Sequence, residues 1–366
     1  MKFYLFILIN ILFFACNEIN MSELHVIHIN TDQDSPLPLS SIVEEIKSIE
    51  LELTDESLIN PSQIVRVCLL NNSHVIIAEK NQILLFSIDG TFIRSIGSRG
   101  QGPGEFINIL NLAIDEKNKH IFVGSSKIIC YDLDGTFLRE SYIAPEWLPI
   151  KDINYINNEL LIIVENVDMK DSKGAFQHSV VLKMNNNLQI IDSCAIRDTY
   201  FQQTTKYSHA FHDFIFLGNE NIQLYYSDIY SNRQNPLEIV LRDTLYLMKN
   251  NHLIPEIKLK FKNDGIDGYG NKFIHLYNIY RSSRYVFAFY RNDYRPGLYN
   301  FCYDLQTGKG YNIKDGYTDD IYKIQRPLRI LPFNLDTEFF YYLHTNIHDY
   351  DLVEPNPTLY IGKLKK

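Results

Sequence analysis

Two histidines three residues apart are the nearest approach to a metal site in this sequence. His209 and His212 stand immediately before Asp213. On a helix this spacing would let both side chains share one metal ion, but on a strand they point to opposite faces because the period is two. A zinc site would also need a third ligand from elsewhere in the chain. We therefore expect neither a metal nor another cofactor.

A second group of residues combines arginines with tyrosines. The stretches Tyr280–Arg284 and Tyr290–Arg295 are basic and aromatic, in a protein whose net charge is -9. Arginine offers a planar fork that pairs with carboxylates, and tyrosine offers a face for stacking. We interpret the stretches as one neighbourhood, made by loops at opposite ends of one strand, that binds an anionic glycan or peptide. The alternative is that they are solvated loop charges paired with Asp293 or Asp304. The candidate ligand-binding residues are Tyr280, Arg281, Arg284, Tyr290 and Arg291.

No set of catalytic residues can be assigned from the sequence. It contains no Gly-x-Ser-x-Gly elbow, and spacing alone gives no pair of carboxylates acid and base roles. The glycine-rich run from Gly97 to Phe106 lacks the Gly-Lys-Ser/Thr of a phosphate-binding loop. We interpret it as a sharp crossover in which Glu105 accepts backbone N–H bonds. The excess of 44 acidic over 35 basic residues argues against a nucleic acid as partner.

A repeat indicates the elements that position these residues. Leu84–Arg94 and Ile128–Arg139 each contain an apolar strand, an Asp-Gly turn and a return strand, and Gly135 follows Gly90 by 45 positions. Asp and Gly both tolerate the positive φ of a tight hairpin turn. A looser third copy spans Phe301–Tyr311. Hairpins that recur every 40–50 residues or so are typical of propeller blades. The sequence therefore predicts an all-β fold, a six-bladed β-propeller over residues 42–366.

The predicted ring needs a strand from each end of the chain. Four strands can be assigned in each of blades one to five but only three in blade six, and Ser48–Thr54 alternates cleanly enough to supply the fourth. In blade four the outer strands are assigned to Leu237–Arg242 and Thr244–Met248. Polar residues of the inner strands are expected to face the central channel, where propellers commonly bind ligands. The channel candidates are Arg66, Asn108, Asn111, Asp152 and Asn154. Arg66 is also a candidate ligand-binding residue.

The N-terminus has the composition of a targeting segment. Lys2 precedes an apolar run, Phe3–Ala15, that is too short to cross a bilayer and suits a signal peptide. Residues 1–16 are similar to a bacterial lipoprotein signal, in which Cys16 is lipidated and becomes the mature N-terminus. Residues 17–41 are expected to form a polar tether, with one short strand over Leu24–Ile29. The alternative is ordinary secretion with an incidental cysteine. We expect no transmembrane helix, so that the membrane is contacted through the lipid alone.

The other four cysteines are expected to be buried thiols. Cys68, Cys130, Cys194 and Cys302 are widely spaced and form no Cys-x-x-Cys or metal-type pair. An exported protein can form disulfides, but Cys68 and Cys130 lie inside apolar strands, where a thiol behaves as a small hydrophobic group.

Three motifs resemble one known family. The segment Gly100-Gln101-Gly102-Pro103-Gly104-Glu105-Phe106 is similar to the connection between blades in six-bladed β-propeller lipoproteins of Gram-negative anaerobes, which are relatives of NHL-repeat propellers. Arg242–Tyr246 and Asn356–Ile361 resemble later parts of the same family. The resemblance covers roughly residues 45–366. It implies a propeller in the cell envelope, lipid-anchored in the outer rather than the inner membrane and periplasmic or surface-exposed, and it implies little about chemistry.

Three classes of function remain open from the sequence. The favoured class is a binding or scaffold module that presents the propeller to a glycan, a peptide or an envelope protein. The alternative is an enzyme of lyase, lactonase or hydrolase type with its site at the central channel, which requires histidines or carboxylates from several blades to converge on the axis. The third is a sensory propeller within a larger complex.

Overall fold

The computed structural model describes residues 24–147, 149–201, 215–218, 221–227, 240–345 and 355–366. Over these ranges the chain is built from strands, with four short 3-10 turns and no α-helix. Six sheets of four or five strands form a ring. This confirms the predicted all-β, six-bladed β-propeller. None of the helical turns in these ranges is long and apolar enough to cross a membrane.

Blades one to three each contain four antiparallel strands, the number assigned to each of them from the sequence. From the channel to the rim, the bounds are Ile64–Leu70, His74–Glu79, Ile83–Ser87 and Phe92–Ser95 in blade one, Asn111–Asp115, His120–Gly124, Lys127–Asp132 and Phe137–Tyr142 in blade two, and Asp152–Ile156, Glu159–Asp171, Gly174–Met184 and Ile190–Phe201 in blade three.

Blades four to six follow the same plan, with a fifth strand added at the rim of blade four. From the channel outward, the bounds are Ile215–Gly218, Asn221–Leu224, Thr244–Lys249, His252–Lys260 and His25–His28 in blade four, Ile274–Arg281, Tyr285–Asn292, Arg295–Asp304 and Lys309–Lys314 in blade five, and Leu331–Asn334, Phe339–His344, Thr358–Leu364 and Val43–Glu50 in blade six. The remaining elements are the short parallel pair Ser98–Arg99 and Glu105–Phe106 and the 3-10 turns Leu39–Ser41, Pro61–Gln63, Pro145–Trp147 and Lys262–Gly265.

The two outer strands of blade four were wrongly assigned from the sequence. Thr244–Lys249 is the third strand rather than the fourth, and the fourth is His252–Lys260. In the expected third strand, Val240, Leu241 and Arg242 form no strand, and the residues before them lie outside the described ranges. Proline is rare inside strands, and the one in His252–Lys260 is accommodated next to a shift in register, at a position that His25–His28 does not pair with.

In each of the two repeated Asp-Gly turns, only the glycine has positive φ. Gly90 and Gly135 have φ of 93° and 84°, whereas Asp89 and Asp134 keep negative φ. A register shift in the flanking strands accompanies each turn. Each connection is therefore a longer loop with one left-handed glycine and a bulge, in place of the two-residue primed turn that was expected.

The ring closes as predicted. Val43–Glu50 is antiparallel to the C-terminal strand Thr358–Leu364 and forms the outer strand of blade six, with Ile49 opposite Leu359. The strand begins and ends a few residues earlier than the predicted Ser48–Thr54. Strands from both ends of the chain therefore pair within one blade. The added strand covers the edge that Thr358–Leu364 would otherwise expose.

The core consists of separate apolar clusters between neighbouring blades. One cluster packs Val75 and Phe86 of blade one against Tyr341 and Leu359 of blade six, and every one of these side chains is buried. Each such side chain contributes about 1.5–3 kcal/mol to folding by leaving water. Three thiols lie in these clusters: Cys130, Cys194 and Cys302 are buried, whereas Cys68 is half-buried, and no disulfide joins any of the four.

The segment before the closing strand lies on the propeller. His25–His28 is parallel to the fourth strand of blade four, His252–Lys260, which confirms a short strand within Leu24–Ile29. Residues 29–41, here called the N-terminal strap, then cross blade five to reach blade six. The backbone N–H of Ser35 donates to Asn312 O at 2.8 Å. Ile29, Leu37 and Leu39 are buried, so that this part of the expected tether is folded against the ring. The signal segment and Cys16 lie outside the described residues.

Candidate functional site

Three polar side chains from neighbouring blades meet in the channel. Arg66 comes from the inner strand of blade one, and Asn111 and Asp152 open the inner strands of blades two and three. Arg66 Nη1 donates to Asn111 Oδ1 at 2.9 Å and lies 3.4 Å from Asp152 Oδ1. Asn111 Nδ2 donates to the same Asp152 oxygen at 2.8 Å. The structure thus brings together three of the five channel candidates.

This cluster connects the blades. The Asp152 side chain is fully buried and that of Arg66 is 12% exposed. A buried carboxylate needs charged or hydrogen-bonding partners, because losing water without them costs several kcal/mol. Arg66 Nη1 also donates to Ile153 O at 3.1 Å. One guanidinium group therefore holds three blades at fixed spacing, and a direct contact between Arg66 and a ligand stays a prediction.

A cavity of about 370 Å³ extends from Arg66 to the turns that follow the inner strands. Its size falls in the range of small-ligand sites. Blades one, two, three and six supply the wall, which combines apolar with polar side chains, and more of its exposed surface is polar than apolar. The apolar lining includes Val67, Leu69, Leu112, Ala113, Ile114, Phe333 and Phe339, and the polar lining includes Asn71, Asn72, Glu116, Asn154 and Thr337.

The mouth of this cavity is held by contacts between turns. Asn71 Nδ2 donates to Glu116 O at 3.2 Å, which ties the turn of blade one to that of blade two. Asn71 and Asn72 both have positive φ, 47° and 51°, which asparagine tolerates better than most residues. Solvent reaches the Glu116 side chain, but the surrounding protein partly desolvates its carboxylate and raises its pKa.

Only part of this wall was predicted from the sequence. Asn154 lines the cavity, as expected. Asn108 is exposed and precedes the inner strand of blade two, so it does not line the cavity. Asn71, Asn72 and Glu116 were missed. A usable signal was present, because a turn that directly follows an inner strand must open at the channel mouth.

The arginine–tyrosine group is divided into two surfaces. Its two halves lie at opposite ends of the strand Tyr285–Asn292, about 23 Å apart at the usual rise per residue. Tyr280 is 9% exposed and Tyr290 is fully buried. The structure therefore does not form the single neighbourhood that was expected.

Each arginine of this group already has a carboxylate partner. Arg284 lies 2.7 Å from Asp304 and Arg291 lies 2.9 Å from Asp293, as the alternative interpretation expected. Arg281 pairs with Glu256. The role of these residues in ligand binding stays a prediction, and any ligand would have to compete with these ion pairs.

The histidine pair cannot be placed. His209 and His212 lie outside the described residues. Within the ranges given above, no three His, Cys, Asp or Glu side chains are grouped in a way that could hold a metal ion.

The glycine-rich run from Gly97 to Phe106 connects blade one to blade two and is held by specific hydrogen bonds. Gly102 N donates to Glu105 Oε2 at 2.8 Å, as predicted. Lys127 Nζ donates to Gly102 O at 2.9 Å and lies 2.7 Å from Glu140. Tyr131 Oη donates to Gly104 O at 2.7 Å. Gly104 N also donates to Glu140 Oε2 at 2.9 Å. Blade two therefore holds this loop through Lys127, Tyr131 and Glu140, which supports the structural interpretation over a phosphate-binding one.

The fold and the channel define the class of this protein as a six-bladed β-propeller. A comparison with family models then places it more closely: the chain belongs to the DUF4934 family, described as a domain of unknown function, whose model matches residues 24–361. No curated protein matches the sequence significantly.

One solved structure supports the same fold, and a second shows a weaker likeness. A "Putative exported protein" from Bacteroides fragilis is 17% identical with a TM-score of 0.60, over 94% of this chain and 100% of the other. A protein of unknown function from Bacteroides caccae is 11% identical with a TM-score of 0.41, over 78% and 89% of the two chains. At 17% identity the first likeness concerns the fold alone, and no conclusion is drawn from the second.

Proposed function

We propose that this protein is a non-catalytic binding module of the cell envelope, anchored by a lipid on Cys16, that holds a peptide segment of a partner protein in the channel mouth. The observation that carries the proposal is the cavity of about 370 Å³, whose lining combines apolar side chains with amide, hydroxyl and carboxylate groups. Such a site suits a ligand with apolar side chains and a polar backbone.

The proposed location depends on the N-terminus. The lipoprotein-like signal over residues 1–16 supports it, together with the name of the exported Bacteroides fragilis protein. Cys16→Ala should release the protein from the membrane fraction and abolish labelling by a fatty-acid probe. A variant that stays anchored and labelled would show that Cys16 is not the lipidated residue.

The binding proposal is tested on the full-length protein, purified in detergent. The protein is applied to a peptide array, and the best binder is titrated by calorimetry. Glu116→Trp should fill the cavity mouth and weaken peptide binding by at least about tenfold. Lys117→Trp is the matched control, because it places the same bulk on the next residue of the same exposed turn, outside the cavity lining. Unchanged thermal unfolding would show that both variants are folded.

Two outcomes would overturn the proposal. One is the absence of any peptide ligand, or a peptide that binds Glu116→Trp as tightly as the unaltered protein. The other is chemical turnover of the bound ligand, which would favour the channel enzyme considered from the sequence.

A further inference from the structure

A second pocket lies at the rim of blade five, separate from the channel. It has a volume of about 320 Å³ and shares no lining residue with the channel cavity. Its walls come from the N-terminal strap, through Thr31 and Asp32, and from two turns and a hairpin of the propeller. We call it the rim pocket. Because the strap supplies one wall, the pocket exists only while the strap is docked.

One exposed aromatic ring of the rim pocket is held rigidly. Tyr294 is 62% exposed. Its ring lies 4.9 Å from the ring of the nearly buried Phe273, at an angle of 32°. Its hydroxyl donates to Asp267 Oδ2 at 3.0 Å, and its backbone N–H donates to Asn292 Oδ1 at 3.0 Å. A ring fixed at both ends offers a flat apolar surface to a ligand with little further loss of side-chain entropy.

The polar groups around this ring are planar and fixed. Asp267 Oδ1 accepts from the backbone N–H groups of Tyr269 and Asn271 at 2.9 and 2.8 Å, which orients its carboxylate. The adjoining Tyr269 is 94% exposed at the tip of the same turn. A carboxylate or guanidinium group at the edge of an aromatic face can pair with two neighbouring hydroxyls of one ligand.

The charges of the rim pocket are balanced. Its lining contains two cationic side chains, Lys262 and Arg295, and two anionic ones, Asp32 and Asp267. Lys262 lies 3.6 Å from Asp32, and Arg295 lies 3.0 Å from Asp34 of the strap. A strongly anionic ligand would have to break these pairs. The pocket therefore favours a neutral ligand rich in hydroxyl groups.

We propose that the rim pocket binds a neutral carbohydrate, with one pyranose ring packed on Tyr294 and its hydroxyls paired with Asp267 and Arg295. The C–H face of a pyranose is apolar and matches an aromatic ring, while its edge carries vicinal hydroxyls. Both surfaces are present here within one pocket, as the exposed ring of Tyr294 and the side chains of Asp267 and Arg295.

The test uses full-length protein in a detergent without a sugar headgroup, since maltosides would compete. The protein is applied to an array of neutral oligosaccharides, and the best binder is titrated by calorimetry. Tyr294→Ala should weaken binding at least about tenfold, whereas Tyr294→Phe keeps the ring and should stay within about threefold. Tyr142→Ala, at a 70% exposed tyrosine on the outer strand of blade two, is the matched control and should bind normally.

The outcomes separate this proposal from the channel proposal. Glu116→Trp should leave carbohydrate binding unchanged, because Glu116 does not line the rim pocket. The proposal is overturned if no neutral oligosaccharide binds, or if Tyr294→Ala binds the best one as tightly as Tyr142→Ala does. Binding restricted to acidic sugars would also overturn it. Thermal unfolding of Tyr294→Ala shows whether a loss of binding comes from the pocket or from the fold.

Discussion

Lys151 Nζ lies 3.1 Å from Glu165 Oε2, and both side chains are almost completely buried, at 2% and 3% exposed. Lys151 directly precedes the inner strand of blade three, and Glu165 lies on the next strand of the same blade. Tyr226 of blade four donates its hydroxyl to the other oxygen of Glu165. A buried ion pair is thus shared between two blades, beside the Arg66–Asp152 contact of the channel.

Removing one partner of this pair should cost more than removing both. Lys151→Met leaves a buried carboxylate without its cation and should destabilise the protein by about 3–5 kcal/mol. The double variant Lys151→Met/Glu165→Gln removes both charges of this pair and should recover at least half of that loss. Urea unfolding followed by circular dichroism gives the free energy of unfolding of each variant. A double variant less stable than Lys151→Met alone would contradict this account.

The two repeated turns should respond differently to the same substitution. An added Cβ at Gly90 would come within 2.0 Å of Glu50 O on the closing strand, whereas at Gly135 the nearest atom is 3.5 Å away. Both glycines have positive φ. Gly135→Ala should therefore cost only the backbone strain, about 1–2 kcal/mol. Gly90→Ala adds a clash with backbone and should cost about 1–3 kcal/mol more.

Thermal and urea unfolding of both variants measure this difference, and each glycine serves as the control for the other. Glu52 N also donates to Gly90 O at 2.9 Å, so that the turn of blade one supports the segment that closes blade six. Equal losses of stability in the two variants would contradict the expected clash between a side chain at position 90 and the backbone of Glu50.

The parts of the fold that the sequence predicted well are those with strong local chemistry. An Asp-Gly turn between apolar strands needs no tertiary information, and the two copies determined blades one and two to within a few residues. Blade four has no such turn in its outer half. There Pro255 weakens the sequence signal for the strand His252–Lys260. In the structure, the shift in register opposite Pro255 accommodates the proline within the strand.

The candidate sites depend on contacts that cross the ring. Alternation within an inner strand could name Arg66, Asn111 and Asp152 as channel residues, but their mutual hydrogen bonds follow from the spacing of three blades. The rim pocket could not be predicted, because it joins Asp32 of the strap to Tyr294 of blade five. No local pattern in a single sequence relates residues so far apart. The arginine–tyrosine group does not form one surface, because its two loops lie at opposite ends of the strand Tyr285–Asn292 and are separated by the length of that strand.

Acid should weaken the pair between Arg284 and Asp304. Arg284 donates Nε and Nη2 to the two oxygens of Asp304, at 3.2 and 2.7 Å. The Arg284 hydrogen bond is the main cause that lowers the pKa of Asp304 below its ordinary value of 3.8. A carboxyl whose pKa is lowered by folding stabilises the protein above its unfolded pKa, and that contribution is lost as pH falls through the folded pKa.

Arg284→Met should therefore destabilise the protein by about 2 kcal/mol at pH 7, and by less as the pH falls below about 3.8. Urea unfolding of both proteins between pH 7 and pH 3 measures the difference in free energy. Arg291→Met is the control, because Arg291 and its partner Asp293 are both more than 40% exposed and should contribute little at any pH. A difference between Arg284→Met and the unaltered protein that grows toward low pH would contradict the assignment.

The thiols should react in the order of their burial. Desolvation raises the pKa of Cys130 to about 11 and also raises the pKa values of Cys194 and Cys302. A raised pKa lowers the thiolate fraction, and burial also blocks access of the reagent. In the Cys16→Ala variant at pH 8, a disulfide-exchange reagent should modify the half-buried Cys68 first and the other three only after urea unfolding. Cys68→Ser should remove the fast phase. Rapid modification of a second thiol in the folded protein would show that a blade opens locally without global unfolding.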